Sequence, residues 1–223
     1  MNRSLRLALL AALFLAAALP AATNRWEGEI SNYLRRDATT PPTKGGILFV
    51  GSSTIRMWRT ATNDFLPLPV INRGFGGSSF KDLLFFMDTI VLPYEPKVLV
   101  VYEGDNDLGS SNSVAATVVS NAKLFALRVH AALPEAKIFY LSIKPSLKRA
   151  ARWEEMSKAN ALIAEWAKTD PRLGTIDIGP LIRGADGEPD PSLFASDGLH
   201  LNKDGYARLN AHVRPILEAA YKP

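Results

Sequence analysis

Five short apolar runs, at 47–50, 70–72, 98–102, 138–143 and 175–178, recur along the 223-residue chain with helix-like stretches between them. The runs are rich in β-branched side chains and continuously apolar rather than alternating, which is the pattern of strands covered on both faces. The stretches 53–61, 78–91, 113–132, 151–168 and 203–220 have helical spacing, and 26–36 forms a further short amphipathic helix before a loop at 38–46. Strand and helix alternating in this way predict an α/β fold, a five-stranded parallel sheet inside a three-layer α/β/α sandwich. In an open sheet of that kind ligands bind outside the carboxyl ends of the strands, so the residues just after each run are the place to look for chemistry.

Those positions hold Gly51-Ser52-Ser53 after the first run, Gly74 to Ser78 after the second, and Gly104-Asp105-Asn106-Asp107 after the third; Asp197 and His200 stand just before the last helix. Together they supply what acyl transfer needs. A serine at a strand-to-helix turn can project its hydroxyl into a cleft, but it is a weak nucleophile until a base takes its proton. An imidazole is tunable enough to be that base, and an aspartate against its other nitrogen fixes the tautomer and stabilises the imidazolium. Asp197 and His200 are three residues apart, so one turn of chain brings the carboxylate beside Nδ1 and leaves Nε2 for the serine. Of the three histidines only His200 follows an aspartate at that spacing, while His130 and His212 fall inside helical stretches. The backbone N–H groups of Ser53 and Gly77 and the side-chain amide of Asn106 are the candidate oxyanion donors. Glycine allows close approach, and an amide donates without titrating.

In this order, and on this alternating pattern, the four segments resemble the four blocks of the SGNH hydrolases, the GDSL-like esterase and lipase family, from residue 47 to the terminal helix. The resemblance implies a flavodoxin-like sandwich with strand order 2-1-3-4-5. It implies Ser53 as the nucleophile, Asp197 and His200 as the other members of a triad, and Ser53, Gly77 and Asn106 as the oxyanion hole, with no cofactor. One position departs from the family. Its first block reads Gly-Asp-Ser, and here Ser52 replaces the aspartate, leaving two adjacent serines. Register favours Ser53, which is third in the block and opens the helix.

Other readings of the same segments fit less well. A dinucleotide-binding turn fails because Ser79 stands where the last glycine would be, and no phosphate-binding lysine follows. Ile55 occupies the second glycine of a G-x-S-x-G elbow. Asp105 and Asp107 lack a nearby histidine or a third spaced carboxylate, so loop caps are expected there and no metal site. Trp58 and Phe75 are expected in the core rather than in the pocket. The segment 144–152 carries four cations on the cleft side. It is either a solvated basic helix start or, through Lys144 together with Arg73, a binding surface for an anionic or densely hydroxylated substrate.

Composition bounds the rest. With no cysteine, a disulfide scaffold, a thiolate zinc site, an iron-sulfur cluster and a thiol nucleophile are all excluded. Arg3 and Arg6 precede an apolar run at 7–19 and then Pro20-Ala21-Ala22, the layout of a secretory signal peptide. The run falls short of the roughly 20 residues that span a bilayer comfortably. Residues 1–22 are therefore expected to be a leader, with an uncleaved N-terminal anchor as the alternative. Residues 23–223 are expected to be one hydrolase domain, secreted or periplasmic, with no stable membrane span after cleavage. Loss of the leader leaves 24 basic against 22 acidic side chains, too small an excess to imply a nucleic-acid partner. The expected substrate is a small-molecule or glycan ester with a short acyl group such as acetyl, because no long lid insertion separates the blocks. Lysophospholipase or thioesterase activity on lipid esters is one alternative, and a non-catalytic carbohydrate-binding envelope protein on the same fold is another. Oligomeric state is not written in the sequence.

Overall fold

The computed structural model describes residues 24–222, so the expected leader at 1–22 lies outside the described residues. Strands β1 (Ile47–Gly51), β2 (Val70–Gly74), β3 (Val98–Tyr102), β4 (Lys137–Leu141) and β5 (Leu173–Ile176) form one sheet in the order β2-β1-β3-β4-β5. Every pairing is parallel. The helices are α1 (Glu27–Thr39), α2 (Ser53–Arg56), α3 (Ala61–Asp64), α4 (Phe80–Ile90), α5 (Ala115–Ala132), α6 (Trp153–Ala167) and α7 (Lys203–Ala220). This is the three-layer sandwich that the strand and helix pattern predicts, with the strand order that the family resemblance implies.

The pleat of the strands divides the core into two. Leu48 and Val50 of β1, with Leu99 and Val101 of β3, pack under α1, α4, α5 and α6; Ile47, Phe49, Val98 and Val100 pack with α2, α3 and α7 on the other face. Because β1 and β3 are buried on both faces, their sequences run apolar without alternation. None of the described helices is long and apolar enough to cross a membrane.

Two elements differ from expectation. The helix expected at 53–61 breaks into α2 and α3, because Trp58 turns into the core and its Nε1 donates to the Asp64 carboxylate at 3.0 Å. Strand β5 starts at Leu173, two residues before the apolar run at 175–178, and pairs Leu173 with Ile138. Its Gly174 lies against the Phe139 ring, where a Cβ would come within 2.7 Å, so the strand extends over a position with no apolar side chain to announce it.

The chain leaves β1 toward β2 and returns on the opposite side for β3. That reversal opens a crevice at the carboxyl ends of β1, β2 and β3, the place where such sheets bind ligands.

Candidate active site

β1 ends at Gly51, whose φ of +135° and close approach to β3 both exclude a side chain: a Cβ there would lie 2.1 Å from the Tyr102 carbonyl oxygen. The next amide, Ser52 N–H, donates to that same carbonyl at 2.9 Å, and the chain then turns into α2. Ser53 is thus the first helical residue, with its side chain in the crevice. Ser52 points the other way, its Oγ buried and without a hydrogen-bond partner.

Asp197 and His200 lie in a tight loop before α7. Ala195 N–H donates to His200 O at 2.7 Å, Gly198 takes φ +63°, and Asn202 caps α7 by accepting from Asp204 N–H and Gly205 N–H. The loop presents His200 to Ser53: Nε2 is 3.0 Å from Ser53 Oγ, and Nδ1 is 2.6 Å from Asp197 Oδ2. The other carboxylate oxygen accepts from Leu199 N–H at 2.9 Å and His200 N–H at 3.0 Å. The His200 and Leu199 amides, then the imidazole, hold the Asp197 carboxyl well below the usual carboxylate range. Asp197 therefore stays ionised and orients the ring.

Ser53, Gly77, Asn106 and His200 line a single cleft of about 510 Å³. Gly77 adopts φ +78°, in the left-handed region that favours glycine. The Asn106 amide is fixed at both ends. Its Nδ2 donates one hydrogen to Ser78 O at 2.9 Å and keeps the second, while its Oδ1 accepts from Arg149 Nη2 at 2.9 Å. Asp107 is a loop cap, accepting from Phe80 N–H at 3.1 Å and Gly104 N–H at 3.0 Å; burial outweighs these donors and pushes its carboxyl up to about 6. Trp58 and Phe75 are core residues, 1% and 0% exposed.

Arg73 and Lys144 are not in the cleft. Arg73 is 8% exposed, donates from Nε to Tyr94 Oη at 2.7 Å and pairs with Asp37 at 2.5 Å. Lys144 is 1% exposed and lies beneath the serine turn, with Nζ 2.7 Å from Asp105 Oδ2 and 3.2 Å from Thr54 Oγ1. Burial raises the Asp105 carboxyl, but the Lys144 and Arg149 cations outweigh it and hold the group below its ordinary range. Two more cations of the basic segment are spent in the same way, while Lys148 stays exposed. Arg149 bridges Asp105 and Asn106, and Arg152 donates to the carbonyls of Leu108 and Ser113. These cations pin the 105–113 loop to the chain after β4 rather than meet a substrate.

Helix α1 and the two residues before it contribute a wall that sequence reasoning missed. Arg25 donates to Gly77 O at 2.6 Å and Trp26 Nε1 to Gly76 O at 2.9 Å, while Glu29 accepts from Gly76 N–H at 3.3 Å and pairs with Arg56. Tyr33 Oη donates to Gly74 O. Four side chains from one short stretch thus hold the glycine loop after β2. The signal was faint. Trp26, Ile30 and Tyr33 mark one apolar face, but nothing local says that the face meets residues about 50 positions away.

The architecture and cleft are those of a hydrolase built on a doubly wound α/β sheet, with an aligned Ser-His-Asp set at the strand ends. The sequence model of the GDSL-like Lipase/Acylhydrolase family matches residues 46–208, and the chain belongs to that family, which makes it a carboxylic ester hydrolase. Among solved structures, a GDSL-like lipase of Bacteroides thetaiotaomicron is similar at TM-score 0.72 and 21% identity, over 86% of this chain and 98% of the other. A carbohydrate esterase family 3 protein of Talaromyces cellulolyticus is similar at TM-score 0.62 and 16% identity, over 78% and 96% of the two chains. A variant of a Geobacillus acetyl-xylooligosaccharide esterase is similar at TM-score 0.61 and 14% identity, over 81% and 96%. At these identities the likeness speaks for the fold. No curated protein sequence matches the chain. Helix α1 precedes the family-matched residues.

Proposed function

We propose that the protein is an exported serine esterase that removes short acyl groups, acetyl foremost, from a hydroxylated small molecule or glycan, with Ser53, His200 and Asp197 as its catalytic residues. The observation that carries the reading is the unbroken contact from Ser53 Oγ through both His200 nitrogens to Asp197, at 3.0 Å and 2.6 Å.

Ser53 Oγ attacks the ester carbonyl carbon as His200 Nε2 takes the hydroxyl proton, and Asp197 stabilises the imidazolium that forms. The carbonyl oxygen becomes an oxyanion facing the N–H groups of Ser53 and Gly77 and the free hydrogen of Asn106 Nδ2. Collapse breaks the bond to the alcohol oxygen, which leaves with the proton from Nε2. Water then gives a proton to the same nitrogen as it attacks the acyl-serine, and a second collapse releases the carboxylic acid and restores Ser53. No step calls for a cofactor.

The short-acyl reading is supported by the cleft itself. Its apolar lining is confined to Trp26, Met57 and Leu199, and Arg25, Glu29 and Arg56 stand around them, which is too little apolar surface to cover a long alkyl chain. Two proteins of similar fold act on carbohydrate or acetyl esters by name. Export rests on the leader-like segment at 1–22. The test is hydrolysis of p-nitrophenyl esters of increasing chain length by wild type and Ser53→Ala. The proposal expects kcat/KM to peak at acetyl to butyryl and the variant to be inactive. A maximum beyond about eight carbons would overturn the substrate class, and equal rates for the two proteins would overturn the mechanism.

A further inference from the structure

A second cavity, of about 370 Å³, lies between α6 and the carboxyl-terminal ends of β3, β4 and β5, and it shares no lining residue with the catalytic cleft. It has an apolar body, made by Phe80, Val101, Tyr140, Ile143 and Ala164, with Ser142, Asp177 and Arg183 among its other lining residues. It opens to solvent past Ser157, Asp177 and Pro180, so a ligand can enter it from outside. Here it is held open. Asn160 of α6 donates from Nδ2 to Ile143 O at 2.9 Å and accepts from Ile143 N–H at 2.7 Å, which fixes the helix against the chain after β4.

Of the charged side chains in its lining, Asp177 is exposed, Arg183 half-buried and Glu103 buried. Glu103, 3% exposed at the end of β3, accepts from Ser78 Oγ at 2.6 Å through Oε1, while its Oε2 is buried without a hydrogen-bond partner. Such an orphaned oxygen is costly, and the proposed mechanism makes no use of it. Burial pushes the Glu103 carboxyl well above the usual carboxylate range, which favours the protonated form, with a hydroxyl to donate.

We infer that this cavity is a ligand site distinct from the catalytic cleft, taking a neutral, mostly apolar molecule of aromatic or short-chain size that places one hydroxyl or carbonyl oxygen on Glu103. An apolar body with a few convergent polar groups is the usual make-up of a small-molecule pocket. A charge placed in the apolar body would go unpaired, so the part of the ligand that reaches Glu103 is neutral.

Titration of the intact protein with 4-ethylphenol, followed by calorimetry and by ¹⁵N NMR, tests the inference. The expected result is one saturable site with Kd of about 0.1–1 mM, typical of a ligand this small. Shifts should centre on Ile143, Asn160 and Glu103, and affinity should be unchanged in Ser53→Ala. Ala164→Phe, which fills the cavity, is expected to weaken binding at least tenfold. 4-Ethyltoluene, which lacks the hydroxyl, is expected to bind the wild type several-fold less tightly, a comparison that needs no variant to fold. Absence of saturable binding, shifts centred on the cleft around Ser53, or equal affinity for the two probes would overturn the inference.

Discussion

At the residue scale, the site depends on groups that are held rather than merely present. Asn106 is anchored through both ends of its amide, so its one free hydrogen has a fixed direction. Asn106→Ala is expected to lower kcat for p-nitrophenyl acetate by about 10² to 10³ with little change in KM, the usual cost of losing one oxyanion donor. Lys144 makes the opposite case. Its charge is invisible to a substrate and is consumed by Asp105. Lys144→Met would leave that carboxylate buried without its closest cation, and denaturant unfolding is expected to show a loss of about 3–5 kcal/mol. The ratio of kcat/KM for neutral and anionic esters is expected to stay the same; a change in that ratio would return Lys144 to the substrate. Ser53, Asp197 and His200 were legible in the sequence because residue type, spacing and position at a strand end all pointed the same way. Arg73 and Lys144 were misjudged because their partners, Asp37 and Asp105, are distant in sequence and a cation's letter does not say whether it is buried.

At the scale of elements, α1 is the part whose role the sequence concealed. Its amphipathic pattern announces a helix, and the apolar stripe of Trp26, Ile30 and Tyr33 announces burial, but the hydrogen bonds that matter run across about 50 residues to Gly76 and Gly77. Trp26→Phe keeps the ring in the core and deletes the Nε1 donor to Gly76 O. Because Gly76 O and Gly77 N–H are the two ends of one peptide unit, losing that anchor lets the oxyanion donor tilt without removing it, and the variant is expected to lose about tenfold in kcat, less than the loss of a donor outright. KM and melting temperature are expected to change little. A rise in KM at constant kcat would show that α1 binds substrate rather than steadying the loop. The five strand runs were legible because both faces of β1 and β3 are buried; the start of β5 and the break between α2 and α3 were not, since each depends on one tertiary contact, Gly174 on Phe139 and Trp58 on Asp64.

Across the whole molecule, the sheet order places the proposed reacting groups of distant segments at one reversal point, and the buried acids beneath that point leave a mark on stability. Asp107 has its carboxyl pushed up to about 6, above its unfolded value, so between about pH 4 and pH 6 the folded state binds more protons than the unfolded one. Its contribution to stability is therefore present at low pH and lost as pH rises through about 6. Asp107→Asn removes that term, and the stability difference between variant and wild type is expected to shift in the variant's favour by about 2 kcal/mol from pH 4 to pH 7, read from urea unfolding at the two pH values. Asp197 has the reverse sign, its depressed carboxyl adding stability that fades only as the solution becomes strongly acidic. A pH-independent difference between wild type and Asp107→Asn would contradict the assignment.

The central claim is that the Ser53, His200 and Asp197 contact activates one hydroxyl among two adjacent serines. Labelling the protein with a fluorophosphonate probe and mapping the modified peptide measures that directly. The account predicts stoichiometric modification of Ser53, abolished in Ser53→Ala and strongly slowed in His200→Ala, with Ser52 untouched. Modification at Ser52, or no modification of a folded protein, would contradict it.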